Sequence, residues 1–161
     1  MIAALTLSAA GLLGITQYEG FRSAAYNDGV GTTTIGFGTT AGVKPGDKIT
    51  VERALVIALK DAEKHGEAVK RCVKVPLYQH EFDAATSLAY NIGPTAFCNS
   101  TVVKRFNAGD YPGACQAIVR FNKAGGKVLQ GLVKRREAER QMCLGKTVPE
   151  TRTIVPKKRT P

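Results

Sequence analysis

Two carboxylates and a hydroxyl stand close together near the start of this 161-residue chain. Glu19 comes first, Asp28 follows after eight intervening residues, and Thr34 follows after five more. Glycines recur through the same segment and permit turns and close approach of the backbone. Residues 32–37 are rich in Thr, Ile and Phe, which is typical of a strand. We therefore expect a β-hairpin that carries Asp28 and Thr34 to the side of a cleft opposite Glu19.

This set of side chains suits the hydrolysis of a glycosidic bond. One carboxyl group must give a proton to the leaving oxygen, and an ionised group must stabilise the oxocarbenium-like transition state, activate water or attack directly. Glu19 follows the apolar residues 1–15, and poor hydration favours a protonated carboxyl group, so we assign Glu19 as the acid. Asp28 lies between Asn27 and Gly29, a polar setting that suits the ionised partner. The alternative is that Glu19 caps a helix and Asp28 serves only a turn.

The residues around these three extend the pattern. Residues 19–38 read E-G-F-R-S-A-A-Y-N-D-G-V-G-T-T-T-I-G-F-G, and residues 75–93 read V-P-L-Y-Q-H-E-F-D-A-A-T-S-L-A-Y-N-I-G. Residues 131–140 read G-L-V-K-R-R-E-A-E-R. In order and spacing, these segments resemble the phage-type lysozymes, the T4- and P22-like endolysins of glycoside hydrolase family 24, over roughly residues 17–145. The resemblance implies an α+β lysozyme-like fold, with a small β-hairpin lobe and a larger, mainly helical lobe joined by a long helix.

The resemblance also implies a muramidase that hydrolyses the β-1,4 bonds between N-acetylmuramic acid and N-acetylglucosamine in peptidoglycan, so that the host cell lyses and releases phage. On this match Glu19 is the general acid, Asp28 its partner, and Thr34 a residue that helps to position water. The family is usually assigned inverting chemistry, but the residues alone leave a covalent route open. Thr39 and Phe121 stand where many relatives have His and Trp, and both positions belong to the expected lining of the cleft. Neither a metal nor an organic cofactor is implied.

Further residues are placed around the cleft by the same resemblance. It sets an arginine of the last helical segment against the catalytic glutamate, and we choose Arg136 over the neighbouring Arg135 as this positioning residue. Asn91 is expected near the bound sugar. Gly125 and Gly126 form a loop that could admit the glycan backbone or merely make a turn, since glycine serves both uses.

Four cysteines remain, and their spacing fits no zinc-binding motif: Cys72, Cys98, Cys115 and Cys143. Four cysteines allow three pairings, which the sequence alone does not distinguish. The resemblance to secreted phage lysozymes implies the pairs Cys72–Cys98 and Cys115–Cys143. Disulfides would indicate an oxidising compartment, most simply the bacterial periplasm. The alternative is four reduced, buried thiols in a cytoplasmic protein.

The composition fits a globular protein with a basic surface. Hydrophobic residues make up 43% of the chain, and the formal net charge is +10. Residues 1–43 carry one basic and two acidic groups, so the whole positive excess lies in residues 44–161. Such a surface attracts polyanions or simply aids solubility. No helix-turn-helix, zinc-finger or RNP-type motif occurs. Because the catalytic motif already points to the wall, we expect the cell wall or envelope as the partner rather than nucleic acid. We also expect a monomer.

Three parts divide the chain. Residues 1–15 are an uncharged apolar run, residues 16–145 form the lysozyme-like domain, and residues 146–161 are a basic tail. Within the domain we expect, in order, the β lobe, the linking helix and the helical lobe at about residues 16–49, 51–70 and 75–145.

Three interpretations of the N-terminal run remain open. It could be a buried helix that leads into Glu19, a weak signal anchor that inserts and later leaves the membrane, as in signal-arrest-release endolysins, or the remnant of a longer anchor. Residues 1–18 fall short of the about 20 apolar residues that a spanning helix usually needs, and they lack the marks of a cleaved signal peptide. Proximity to Glu19 favours an anchor, because a helix held in the bilayer would displace the acid. We therefore expect transient association with the inner membrane through residues 1–18.

Three rival functions make different predictions. A lytic transglycosylase would need only the acid, so the presence of Asp28 and Thr34 argues against it. A basic protein that disrupts membranes or walls would keep its full lytic power after Glu19→Gln. A cytoplasmic nucleic-acid binder would bind with a steep salt dependence.

Overall fold

The computed structural model describes residues 5–29 and 31–146, which form a small β-hairpin lobe, a long helix and a larger helical lobe. This is the predicted α+β arrangement. The predicted tail, residues 146–161, lies outside the described residues except for Lys146. In chain order the elements are α1 Ala9–Glu19, β1 Arg22–Asn27, β2 Thr33–Gly36, α2 Val51–Cys72, α3 Gln79–Ile92, α4 Pro94–Cys98, α5 Thr101–Asn107, α6 Tyr111–Ala117, β3 Lys123–Ala124, β4 Lys127–Val128 and α7 Gln130–Cys143.

The small lobe is built on the predicted hairpin. Strands β1 and β2 pair antiparallel, so that Tyr26 lies opposite Thr34. Backbone hydrogen bonds from residues 47–49 cover the other edge of β1. A small apolar cluster then joins the lobe to the long helix: Phe37, Ala54 and Ala58. The hairpin is therefore fixed on α2 from one side.

Helix α2 links the two lobes and runs without interruption. Thr50 caps it, because its hydroxyl accepts a hydrogen bond from the Arg53 amide at 3.3 Å. The sequence predicts an end near residue 70, whereas the helix continues to Cys72. Gly66 is buried in its last third, and a Cβ there would lie 3.1 Å from Cζ of Phe82. The glycine therefore permits close packing of α2 on α3.

Helix α3 is the centre of the helical lobe. Residues 81–89 are all buried, and several of them are polar. Buried polar groups need partners, and the Glu81 carboxylate accepts a hydrogen bond from the Tyr78 amide at 2.8 Å. The helix ends at Ile92, and Gly93 follows it as the C-cap with a positive φ of 88°. Pro94 occupies the first turn of the short helix α4, a position that suits proline and that the sequence analysis did not identify as a helix start.

Two disulfides tie the helical lobe together. Cys72–Cys98 joins the end of α2 to α4, and Cys115–Cys143 joins α6 to the end of α7, with Cα–Cα distances of 5.4 and 5.5 Å. The pairing implied by the resemblance is therefore confirmed.

Helix α1 leads directly into the first candidate residue. It begins after the Ser8 cap, inside the predicted apolar run, and ends at Glu19, past the expected boundary at residue 15. Ile15 and Thr16 are buried, but Leu13 is 64% exposed. Within the described part of the chain, no helix combines the length and the apolarity needed to cross a membrane.

Candidate active site

Glu19 lies between the two lobes, at the C-terminal end of α1. Its Oε1 accepts a hydrogen bond from Nη1 of Arg135 on α7 at 2.9 Å. A Cβ at Gly38, just after β2, would lie 3.6 Å from Oε2. The Glu19 side chain keeps 24% of its surface exposed. The carboxyl group is thus hydrogen-bonded by an arginine on one side, borders a backbone turn on the other, and remains accessible.

The choice of Arg136 as the partner of Glu19 was wrong. Arg135 makes that contact, and Arg136 instead pairs with Glu139, with Nε 2.8 Å from Oε2. Successive residues of an α-helix point about 100° apart, so only one of two adjacent arginines can face α1. Arg136 is fully buried and lies on the side of α7 that faces the protein interior.

Glu139 is the centre of a buried ion cluster that the sequence analysis missed. Its Oε1 accepts hydrogen bonds from Ser87 Oγ at 2.7 Å, Arg135 Nε at 3.3 Å and Arg136 Nη2 at 3.0 Å. Burial raises the pKa of Glu139 and lowers that of Arg136, while the attraction between the opposite charges opposes both shifts. Through this cluster Glu139 holds Arg135, which in turn holds Glu19.

The spacing of residues along α7 could have predicted this buried cluster. Arg136, Glu139 and Cys143 follow one another at intervals of three and four residues, so they share one face of α7. Since Cys143 was expected to be buried in a disulfide, the charged residues on the same face should also be buried.

Tyr90 on α3 belongs to the same neighbourhood. Its ring lies 5.0 Å from the ring of His65. Burial, together with the negative charges of Glu19 and Asp61, raises the pKa of Tyr90 to about 12. The phenol therefore stays protonated at neutral pH. The sequence analysis did not select this residue.

Asp28 and Thr34 are carried by the hairpin, as expected. Asp28 is exposed just after β1, and its Oδ1 accepts a hydrogen bond from the Thr32 amide at 3.1 Å. Thr34 is buried in β2, with its hydroxyl 3.4 Å from the Thr32 carbonyl oxygen. Both side chains thus contact the backbone of one residue, Thr32. Glu19 enters from the preceding helix and is held separately by Arg135.

A groove runs along the helical lobe away from Arg135. Two adjoining pockets share Leu129 and Leu132; one reaches Arg135 and Tyr18, and the other reaches Asn91 and Phe121. Asn91 is therefore placed along the groove, as is Phe121 at the position where many relatives have Trp. The apolar lining at Leu129 and Leu132 was not identified from the sequence, because isolated leucines at a helix start carry no functional signal.

Gly125 and Gly126 form the tight turn between β3 and β4. Their φ angles are 56° and 76°, and two successive positive values match a two-residue hairpin turn. Ala124, immediately before them, lines the groove. The two glycines therefore form a turn, and this turn lies at the edge of the groove.

The side chains of Glu19, Asp28 and Thr34 are of the types that acid-assisted hydrolysis uses. A hydrogen-bonded carboxyl group stands beside an arginine, and a carboxylate and a hydroxyl project from a neighbouring hairpin. These are the components that hydrolysis of a glycosidic bond needs. Among the described residues, no group of three or more His, Cys, Asp or Glu side chains is arranged to bind a metal ion.

Comparison with known proteins identifies the family. The phage lysozyme profile matches residues 16–139. The chain is 44% identical over 140 residues to the SAR-endolysin of Pseudomonas phage phiKMV, covering 84% of this chain and 87% of the relative. The endolysin from Escherichia coli O157:H7 phage FAHEc1 matches the fold with a TM-score of 0.83 and 41% identity, over 91% of this chain and 98% of that one.

The endolysin Lyz of phage P1 adds a comparison between two states. Its active form matches with a TM-score of 0.79 and 28% identity, over 92% of this chain and 90% of that one. Its secreted inactive form gives a TM-score of 0.58 and 25% identity, over 89% and 99% of the two chains. The described arrangement is thus closer to the active form. The expectation of a lysozyme-like fold is confirmed, and the chain belongs to the phage lysozyme family.

Proposed function

We propose that Glu19 is the general acid with which this endolysin, a lysozyme-type glycoside hydrolase, cleaves the cell wall of its host. The bond attacked is the β-1,4 linkage between N-acetylmuramic acid and N-acetylglucosamine in peptidoglycan. The position of Glu19 supports this role most directly, because its carboxyl group is held by Arg135 at 2.9 Å and stays partly exposed between the lobes. The structure is more similar to the active form of the P1 endolysin than to its inactive form, which agrees with an α1 that places Glu19 for catalysis.

Arg135 positions the acid and stabilises it after the proton has left. Its guanidinium occupies Oε1, which leaves Oε2, on the Gly38 side, to carry the proton. Proton transfer to the glycosidic oxygen converts Glu19 to a carboxylate. A charge-assisted hydrogen bond from the arginine then becomes stronger, so the pair favours the step in which the bond breaks.

Asp28 and Thr34 prepare the water that completes the reaction. The exposed Asp28 carboxylate accepts the proton of the attacking water, and the Thr34 hydroxyl orients that water from the neighbouring strand. A base that works through water corresponds to inversion of the anomeric carbon. Proton NMR of the first products should show the inverted anomer. A retained anomer would instead indicate a covalent intermediate and would contradict this step.

The groove binds the glycan strand. Asn91 offers an amide for the acetamido groups, and Phe121 supplies an apolar face for a sugar ring. The Gly125–Gly126 turn presents backbone without side chains at the edge of the groove, so a polymer can approach it closely.

We further propose that the enzyme acts in the periplasm as a monomer after transient association of residues 1–18 with the inner membrane. Residues 9–18 of α1 carry no charged side chain, both disulfides suit an oxidising compartment, and one relative is named a SAR-endolysin. A fusion of residues 1–18 to a reporter that is active only outside the cytoplasm tests this part. We expect export with a membrane-bound intermediate, and a reporter that stays in the cytoplasm would contradict it.

Digestion of purified peptidoglycan tests the reaction. The products should carry new reducing ends, whereas anhydromuramic ends would identify a transglycosylase. Asp28→Asn should lower the rate about 100-fold or more, in line with the usual contribution of a general base. Asp47→Asn is the matched control, because Asp47 also bonds a backbone amide in the small lobe, that of Lys44 at 2.8 Å, but in a turn without a proposed catalytic role. Equal rates for both variants would contradict the role of Asp28.

A further inference from the structure

A buried carboxylate on α3 lies outside the proposed chemistry and binds the start of α1. Asp83 is 4% exposed. Its Oδ1 accepts a hydrogen bond from the Ser8 amide at 3.1 Å, and its Oδ2 accepts one from the Ser8 hydroxyl at 2.5 Å. Gln79 donates to Oδ1 at 2.9 Å and also to the Thr6 carbonyl oxygen at 2.8 Å. Both oxygens of Asp83 are therefore used to attach the segment that begins α1.

These contacts fix the helix cap as well as the segment. The Ser8 hydroxyl donates to Asp83 and accepts from the Gly11 amide at 3.1 Å, so Asp83 orients the group that caps α1. The carboxylate also lies at the positive end of the helix dipole. A Cβ at Gly11 would lie 2.8 Å from Cγ of Asp83, so only glycine allows this approach.

Polar contacts hold both ends of helix α1. Eleven residues span about 16 Å. Along that length Ile15 and Thr16 are buried and Leu12 packs against the cluster of Phe37, Ala54 and Ala58, while Leu13 is largely exposed. At the far end, Glu19 contacts Arg135.

We propose that Asp83 is a positioning residue for catalysis: by docking the start of α1 on α3, it sets the place of Glu19 at the other end of the helix. This inference rests on the proposed role of Glu19 as the acid. Displacement of a catalytic group by about 1 Å can lower a rate by as much as 100-fold. Loss of the Asp83 contacts therefore acts on Glu19 without touching the groove that binds the glycan.

Asp83→Ala and Ser8→Ala, alone and together, test the proposal. Each single variant should lower kcat on purified peptidoglycan by roughly 10- to 100-fold with little change in KM. The double variant should lose less than the product of the two single losses, because both substitutions remove the hydrogen bond between the Ser8 hydroxyl and Asp83 Oδ2. Asp83→Asn should restore part of the activity, since its amide oxygen can still accept from the Ser8 amide. Losses that multiply in the double variant, or an unchanged kcat in Asp83→Ala, would overturn the proposal.

A second measurement separates positioning from general loss of stability. Hydrogen exchange in Asp83→Ala should speed up in residues 9–19 while α3 stays protected. Asp110→Ala is the control, because Asp110 caps α6 through the Gly113 amide at 2.9 Å and pairs with Arg105 on α5. An equal loss of kcat in the control would overturn the proposal. If Glu19→Gln keeps full activity, the role of Glu19 fails; if only Asp83→Ala keeps it, the inference about Asp83 fails alone.

Discussion

Replacing Glu139 by glutamine tests how much the buried ion cluster around it stabilises the fold. Glu139 is 3% exposed and faces the guanidinium groups of Arg135 and Arg136, which are 5% and 0% exposed. Glutamine keeps the shape of the side chain but leaves these two cations with less compensating charge. Breaking a buried ion pair from one side usually costs about 3–5 kcal/mol. For a domain of this size that corresponds to a fall in Tm of roughly 6–20 °C.

Thermal unfolding followed by far-UV circular dichroism measures this cost, and Glu137→Gln is the matched control. Glu137 lies two residues earlier on α7 and accepts hydrogen bonds from Arg140 and Gln141, which lower its pKa to about 2. Glu137 is exposed, however, so water can replace the hydrogen bonds that the substitution removes. The Tm of Glu137→Gln should therefore barely change. If only the number of hydrogen bonds mattered, the two variants would show similar falls in Tm. Equal Tm values for Glu139→Gln and the wild type would refute the reasoning about burial.

Three further predictions concern charge and cross-linking. Burial raises the pKa of Tyr90 from 10.0 to about 12, so the contribution of this group to stability is complete below pH 10 and is lost as the pH approaches 12. Tyr90→Phe should therefore make Tm fall less steeply between pH 10 and 12. An unchanged dependence of Tm on pH would contradict the pKa shift. Cys72→Ala/Cys98→Ala opens a loop of 26 residues and should lower the free energy of unfolding by roughly 3 kcal/mol in denaturant titrations. Arg135→Ala should abolish most activity in a folded protein, whereas Arg136→Ala should mainly lower Tm; the reverse order would return the positioning role to Arg136.

The sequence predicted what depends on local pattern. Thr50, Ser100 and Asp110 cap their helices, and a short polar side chain before an apolar helical pattern is a signal that the sequence itself carries. The hairpin with Asp28 and Thr34 was likewise predictable from its glycines and β-branched residues.

What the sequence did not predict depends on the angle at which one element meets another. The choice between Arg135 and Arg136 turns on the rotation of α7 about its axis, and two adjacent arginines give no information about that rotation. Asp83 looked like an ordinary helix residue, since its partner Ser8 is 75 residues away in the chain. Glycine inside a helix normally weakens it, whereas close packing against Phe82 makes Gly66 the residue that fits in α2.

The central claim is that Glu19 donates the proton that cleaves the glycan. We would measure the release of reducing ends from purified peptidoglycan by the wild type, by Glu19→Gln and by the control Glu63→Gln, whose carboxylate lies on the exposed face of α2. The wild type and Glu63→Gln should cleave at similar rates, and Glu19→Gln should release no detectable ends while it keeps its Tm. Cleavage by Glu19→Gln at the wild-type rate would contradict the claim.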